Sequence, residues 1–176
     1  MTDEHGNLTH INRQGKASMV DVSDKPVTQR GAVARGRVLI SEQLAERINA
    51  NALAKGNLID VARIAGIMGA KRTGELIPLC HPLGLDSVGV EIELRGTTLQ
   101  IEATAKVTGR TGIEMEALTA VAVSALTIID MGKAVDKTMT IEGVQLIEKW
   151  GGRSGHFLAE GARSKFEGQV DGGSSS

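Results

Sequence analysis

Two stretches of the chain alternate strictly between apolar and polar positions. Val88, Val90, Ile92 and Leu94 share one face while Glu91 and Glu93 share the other, and Leu99, Ile101, Ala103, Ala105 and Val107 repeat the pattern. A period of two is that of half-buried strands, and Gly96-Thr97 between the runs predicts a hairpin turn. Residues 32–40 read as an earlier strand. Ser41 is placed to cap a short helix carrying Leu44 and Ile48. Lys55-Gly56-Asn57 breaks the chain before a second helix with Val61, Ile64, Ala65 and Met68 at helical spacing. Pro78 and Pro82 bracket a rigid loop. Leu118, Val121, Ala122, Ala125, Leu126 and Ile129 then form one continuous helical stripe. A last strand runs over 139–147, and its apolar phase slips near Gly143, which predicts a bulge. The order strand, helices, strand, strand, helix, strand is a split βαβ plan. It predicts an α+β domain, an antiparallel sheet with helices packed on one face.

Composition narrows the function classes. The chain has 176 residues, 41% of them hydrophobic, which suits one domain with a real core. Two Phe, one Trp and no Tyr leave aliphatic residues to build it. A formal net charge of -1 offers no overall basic field to nucleic acid or an acidic membrane. The shortage of aromatics also argues against binding single strands by stacking. A single cysteine, Cys80, excludes an intramolecular disulfide and a multi-cysteine metal site. Residues 1–10 are polar, unlike a signal peptide. The weakly polar run 117–129 is too short to span a bilayer. The expectation is a cytoplasmic protein with an irregular segment over 1–30, a folded domain over 31–158 and a loose Gly/Ser-rich tail over 159–176.

Several groups of residues can carry chemistry. Asp130, Lys133 and Lys137 share one side of the long helix if it persists that far, and a carboxylate beside ammonium groups can bind phosphate and move protons. The plain alternative is that cations favour helix C-termini. Glu114-Met115-Glu116 would present both carboxylates on one face if extended, or simply complement a helix N-terminus. Cys80-His81 between prolines is a poor zinc half-site, leaving His81 as a substrate contact, an acid–base or a structural histidine. Lys71-Arg72 close the second helix, and Gly151-Gly152-Arg153-Ser154-Gly155 joins a mobile backbone to a cation, a combination suited to phosphate. Neither this segment nor the Gly-rich turn Thr108-Gly109-Arg110-Thr111-Gly112 matches the P-loop pattern. Glu116 and Asp130 lie fourteen residues apart, about 21 Å along a straight helix. If both are catalytic, the site must be composite, with one chain's helix end meeting another's helix start.

Seven segments, Leu8-Thr9-His10-Ile11, Met19-Val20-Asp21-Val22-Ser23, Ala62-Arg63-Ile64-Ala65-Gly66-Ile67, Ala70-Lys71-Arg72-Thr73, Leu76-Ile77-Pro78-Leu79-Cys80-His81-Pro82, Thr111-Gly112-Ile113-Glu114-Met115-Glu116-Ala117-Leu118-Thr119 and Asp130-Met131-Gly132-Lys133-Ala134-Val135-Asp136-Lys137, together resemble the cyclic pyranopterin monophosphate synthase family of molybdenum cofactor biosynthesis. The resemblance runs from about residue 8 to 157. It implies a ferredoxin-like α+β fold and a homohexamer, a trimer of dimers, with the active site at a subunit interface. It implies a lyase that takes 3′,8-cyclo-7,8-dihydro-GTP, rebuilds the purine as a pterin, closes a cyclic phosphate and expels pyrophosphate. It implies Asp130, Lys133 and Lys55 as catalytic residues, and Leu79, Cys80, His81, Met115 and Glu116 as substrate-binding segments. Glu114, Arg30, Lys71 and Arg153 fall where the family has further polar contacts. No metal site and no cofactor are implied. A Mg²⁺ ion travelling with the triphosphate is compatible with this reading, though no motif asks for one.

Two positions depart from the family pattern. Gly132 stands where Cys is common, and Arg153 where many members have Lys, which keeps the charge but not the geometry. On the residues alone, a non-catalytic module binding an anionic nucleotide is the preferred reading. A metal-dependent phosphohydrolase built on Glu114, Glu116 and His81 ranks below it, because no compact carboxylate cluster is present.

Overall fold

The computed structural model describes residues 16–165. Its elements are β1 (Thr28–Leu39), α1 (Glu42–Asn49), α2 (Leu58–Lys71), α3 (Thr73–Leu76), β2 (Ser87–Arg95), β3 (Thr98–Gly109), α4 (Glu114–Gly132), β4 (Thr140–Trp150) and β5 (Phe157–Leu158). The five strands form one antiparallel sheet in the order β2-β3-β1-β4-β5. The first four strands in that order, with helices on one face, give the ferredoxin-like arrangement.

β1 is central and pairs on both edges, with β3 and with β4. It starts at Thr28, ahead of the expected start, because pairing with Gly109 of β3 holds a polar stretch that no alternation reveals. Ala32, Ala34 and Val38 from β1 join Leu99, Ile101, Ala103, Ala105 and Val107 from β3 beneath the helices. The opposite faces of those strands carry ion pairs, Arg35 with Glu102 and Arg37 with Glu142. Ser41 caps α1 by accepting from Leu44 N, and Asn57 caps α2 by accepting from Asp60 N. Gly143 (φ 61) lies at the register slip between β1 and β4, where the bulge was expected.

The stripe expected on α4 holds in part: Val121 and Ala125 are fully buried and Leu118 and Ile129 pack against the core, but one edge is misplaced. Leu126 is 60% exposed, whereas Ala117, Ala120, Val121, Ser124, Ala125 and Ile128 are buried. Small residues face inward because α2 crosses at close range. A Cβ on Gly66 would stand 2.2 Å from Ser124 Oγ and 2.8 Å from the Ala120 carbonyl. Ser124 Oγ is taken up by donating to the Ala62 carbonyl at 3.0 Å. The helix also outruns the apolar stretch read from the sequence: its 19 residues are long and apolar enough by themselves to cross a membrane. Here it packs against β1, β3 and α2 as a core helix.

Past β4 the chain folds back as β5 and continues along the sheet. Ala159 N donates to the Ile147 carbonyl at 2.8 Å, and Ala162 packs on Val33 and Ile147. The motif at residues 8–11 and the Gly/Ser-rich end at 172–176 lie outside the described residues.

Candidate functional site

The expected site residues gather at the two ends of α4. At its C-terminal end, Lys133 is the C-cap, one helical turn beyond Asp130. Lys133 Nζ donates to Asp130 Oδ1 at 2.6 Å. Lys55, reaching in from the loop between α1 and α2, donates to Oδ2 at 2.9 Å and to the Asp130 carbonyl at 2.8 Å. That second bond satisfies one of the carbonyls a helix end leaves open. The hydrogen bond from Lys133, then that from Lys55, pulls the Asp130 carboxyl down to about 2. An ionised carboxylate between two ammonium groups leaves a net positive, solvent-open corner. The carboxylate stays charged and fixes the two lysines, which can donate protons or bind an anion.

Lys137 does not join this cluster. The helix stops at Gly132, so the expected continuation of the face fails there. Asp136, almost fully buried, holds the following turn by accepting from Thr138 N at 2.8 Å, from Thr138 Oγ1 at 2.7 Å and from Ser41 N at 2.7 Å. Burial works against its charge, and these donors more than offset it, so its carboxyl titrates below the usual range. Gly132 packs hard against its neighbours: a Cβ there would stand 2.8 Å from Leu44 Cδ2. A larger residue at this position therefore requires Leu44 to yield.

At the other end, Glu114, Met115 and Glu116 form the first turn of α4 rather than an extended segment. Helical geometry parts the two carboxylates. Glu116 turns inward and is 4% exposed, Glu114 faces Lys149, and Met115 faces solvent. Burial first, and then the neighbouring Glu114 charge, pushes the Glu116 carboxyl up to about 7. Burial also raises the Cys80 thiol, with the Glu116 charge adding to it, which puts Cys80 within electrostatic reach of this carboxyl. Leu79, Cys80 and His81 are half-buried, and Cys80 N donates to the Ile77 carbonyl at 3.0 Å, closing the loop between the prolines. His81 lies within electrostatic reach of Asp21, whose carboxyl is lowered chiefly by hydrogen bonds from Ser23.

Arg30 belongs to this second group. Its Nε donates to the Gly109 carbonyl at 3.1 Å, and burial lowers its guanidinium while the Glu114 charge opposes that. The 151–155 loop closes on it. Gly152 has φ +74, and a Cβ there would lie 2.3 Å from Arg30 Nη1, so a side chain at this position would be strained and would push the guanidinium aside. A shallow concavity between Arg30, Gly112, Glu114, Lys149 and Ser154 opens beside it. Lys71 and Arg153 are exposed, on the last turn of α2 and in the loop. A larger cavity of about 320 Å³ between α1 and α2 is lined by residues of neither cluster.

Sequence reasoning missed Lys149. Its ammonium lies 3.5 Å from Glu114 Oε1 and donates to Ser154 Oγ, with the side chain 16% exposed. The available signal was a cation on a strand directly before Trp150-Gly151-Gly152. The chain thus assembles Lys55, Asp130 and Lys133 at one end of α4, and Glu114, Glu116, Cys80, Arg30 and Lys149 at the other. With Glu116 and Asp130 on one continuous helix, the two clusters stand about 21 Å apart in a single chain.

Among the described residues no group of three or more His, Cys, Asp or Glu side chains is arranged to hold a metal. Comparison with known proteins agrees with the motifs. The chain is 55% identical over 175 residues to cyclic pyranopterin monophosphate synthase 3 of Mycobacterium tuberculosis (strain ATCC 25618 / H37Rv), covering 99% of this chain and 97% of that protein. It is 56% identical over 155 residues to the cyclic pyranopterin monophosphate synthase of Thermomicrobium roseum, covering 87% of this chain and 93% of the relative. The synthase of Parvibaculum lavamentivorans is 53% identical over 155 residues, at 87% and 97% coverage. The MoaC family model matches residues 19–152, a span that takes in both clusters, and with these relatives it shows that the chain belongs to the MoaC family.

Proposed function

We propose that this chain is a cyclic pyranopterin monophosphate synthase acting in molybdenum cofactor biosynthesis, and that it converts 3′,8-cyclo-7,8-dihydro-GTP to the cyclic pyranopterin with release of pyrophosphate. The observation that carries this reading is the Lys55–Asp130–Lys133 cluster, where one carboxylate with its pKa near 2 holds two lysines side by side. Closing the cyclic phosphate forms a bond from a sugar-derived oxygen to the α-phosphorus and breaks the bond from that phosphorus to the bridging oxygen. Charge builds on the departing pyrophosphate, and fixed ammonium groups stabilise it. Rebuilding the purine as a pterin moves protons at nitrogen and carbon. Lys133 and Lys55 serve as proton carriers in that work, with Asp130 accepting their hydrogen bonds and holding them in place. Glu116, titrating near 7, exchanges protons at the opposite end of the site. Leu79, Cys80, His81 and Met115 contact the substrate there, with Glu114, Lys71, Arg30 and Arg153 as further polar contacts.

The working site is composite in this reading, formed where α4 of one chain ends beside the start of α4 of another in a homohexamer, a trimer of dimers. Two features support it. The clusters cannot meet within one chain, and Val61, Ile64, Met68 and Leu126 leave the outer side of the helix layer apolar and exposed. The enzyme is cytoplasmic, carries no cofactor of its own, and meets Mg²⁺ only as a companion of the triphosphate.

The test is pyrophosphate release from 3′,8-cyclo-7,8-dihydro-GTP by the purified chain, with Lys133→Ala as control. Release by the wild type alone, together with a pterin product, supports the reading. Binding without turnover by folded protein replaces it with a nucleotide-binding module.

A further inference from the structure

Glu148 is a fully buried carboxylate that the chemistry above does not use. It lies on β4 opposite Val33, where the register slip beside Ile147 sets it on the helix-free face of the sheet. The next residue, Lys149, pairs with Ala32 and therefore faces the helices, towards Glu114. Glu148 Oε1 accepts from Ser164 Oγ and lies 2.9 Å from His156 Nε2, and its Oε2 accepts from Lys165 N at 2.7 Å. All of these partners come from the segment after β4. Lys165 carries the contact further, reaching Glu102 on β3 and Glu91 on β2. The segment is thus a strap across the helix-free face, knotted at one buried carboxylate.

The knot closes a ring. Between Glu148 and His156 the chain has little other than the 151–155 loop, whose Gly151, Gly152 and Gly155 all have positive φ. Such a backbone has little stiffness of its own. Yet the loop sits hard on Arg30 and brings Ser154 to Lys149. One carboxylate with two acceptor oxygens holds the far side of the ring, and glutamine replaces only one of them: with its carbonyl on the Lys165 N–H, His156 and Ser164 lose a charged acceptor and must turn to accept from the amide instead.

We propose that Glu148 is a positioning residue. Through His156, Ser164 and Lys165 it presses the 151–155 loop onto Arg30 and Lys149, and so sets how tightly the site at the start of α4 binds its anionic substrate. Only the kinetic arm of the test rests on the activity proposed above.

The full chain and its Glu148→Gln variant are compared by hydrogen–deuterium exchange over 151–155 and by tryptic cleavage after Arg153. Both should rise about tenfold or more in the variant, as for a loop whose local opening has been freed, while exchange in α4 stays unchanged. KM should rise about tenfold with kcat within about twofold, the pattern of lost uniform binding. Unchanged exchange and cleavage in the variant overturn the proposal. So does a fall in kcat at constant KM. If wild-type protein shows no turnover, the activity proposal fails, while exchange and cleavage still decide this one. If Glu148→Gln does not fold, His156→Ala and His156→Gln replace it. Alanine should loosen the loop and glutamine, which keeps an N–H donor of similar reach, should restore it. Equal behaviour of those two variants overturns the proposal.

Discussion

Asp130 and Glu116 lie on one helix, yet the fold drives their carboxyl groups in opposite directions. Asp130 stands in water between two ammonium groups and is pulled down to about 2, while Glu116 is buried within electrostatic reach of Glu114 and Cys80 and is pushed up to about 7. Residue type does not assign the roles; surroundings do. Near neutral pH one end of α4 presents a permanent anion that organises two cations. The other presents a carboxyl that can both give and take a proton. The reaction proposed for this chain, which expels pyrophosphate and also moves protons on a heterocycle, has a use for both kinds of group.

The comparison breaks most severely at the exposed end. Lys133→Ala and Asp130→Asn should each lower pyrophosphate release about 10²- to 10⁴-fold, the range for a lost acid–base group. Size-exclusion profiles should stay unchanged, because both side chains are solvent-open. Near-wild-type turnover in either variant would remove that residue from the mechanism.

The buried end should instead show itself in stability. The Glu116 carboxyl keeps its proton up to about pH 7 in the folded chain and releases it near the ordinary carboxyl value of 4.5 when unfolded. Its contribution is therefore fully present below 4.5 and is lost as pH rises through about 7. The size is about 3 kcal/mol. Urea unfolding at pH 5 and pH 8 measures it, and in Glu116→Gln the difference between the two pH values should shrink by that amount. Asp130 has the opposite sign: its lowered carboxyl favours the fold above 3.8, and that contribution is lost as pH falls towards about 2.

What the sequence revealed divides along the same line. Asp130 and Lys133 were legible because a helix brings residues three apart together. Lys55 is 75 residues from Asp130 in sequence, so only the family resemblance pointed to it. The alternation of β2 and β3 was legible because one face meets helices and the other carries charge. The α4 stripe was legible only in part, since hydrophobicity favours Leu126 while close packing against Gly66 selects Ala120 and Ser124. Lys149 and the Glu148 strap depend on a bulge and on long-range bonds, which leave no local periodicity. Close packing between the two ends can be tested directly. Gly66→Ala should destabilise the chain by about 1–3 kcal/mol through overpacking against Ser124, seen as a lower urea midpoint at unchanged slope.

The smallest expected effect separates support of the exposed end from the cap that begins α1. Ser41 does two things: its hydroxyl caps α1, and its backbone N–H donates to Asp136, in the turn just after Lys133. Ser41→Ala removes the cap, together with the smaller support that the hydroxyl gives the Asp136 carboxylate, and should cost about 1 kcal/mol of stability. The N–H remains, so the turn after Lys133 stays tied to the start of α1, and kcat should hold. Asp136→Asn attacks the second bond and spares the cap. One amide cannot accept at both ends, so either Ser41 N–H or the Thr138 pair loses its acceptor, and the turn behind Lys133 is freed. A fall in kcat for Asp136→Asn, set against none for Ser41→Ala, would show that the geometry of the exposed end depends on this buried carboxylate. Equal kcat in the two variants would mean that Lys55 and Lys133 hold Asp130 without help from the turn.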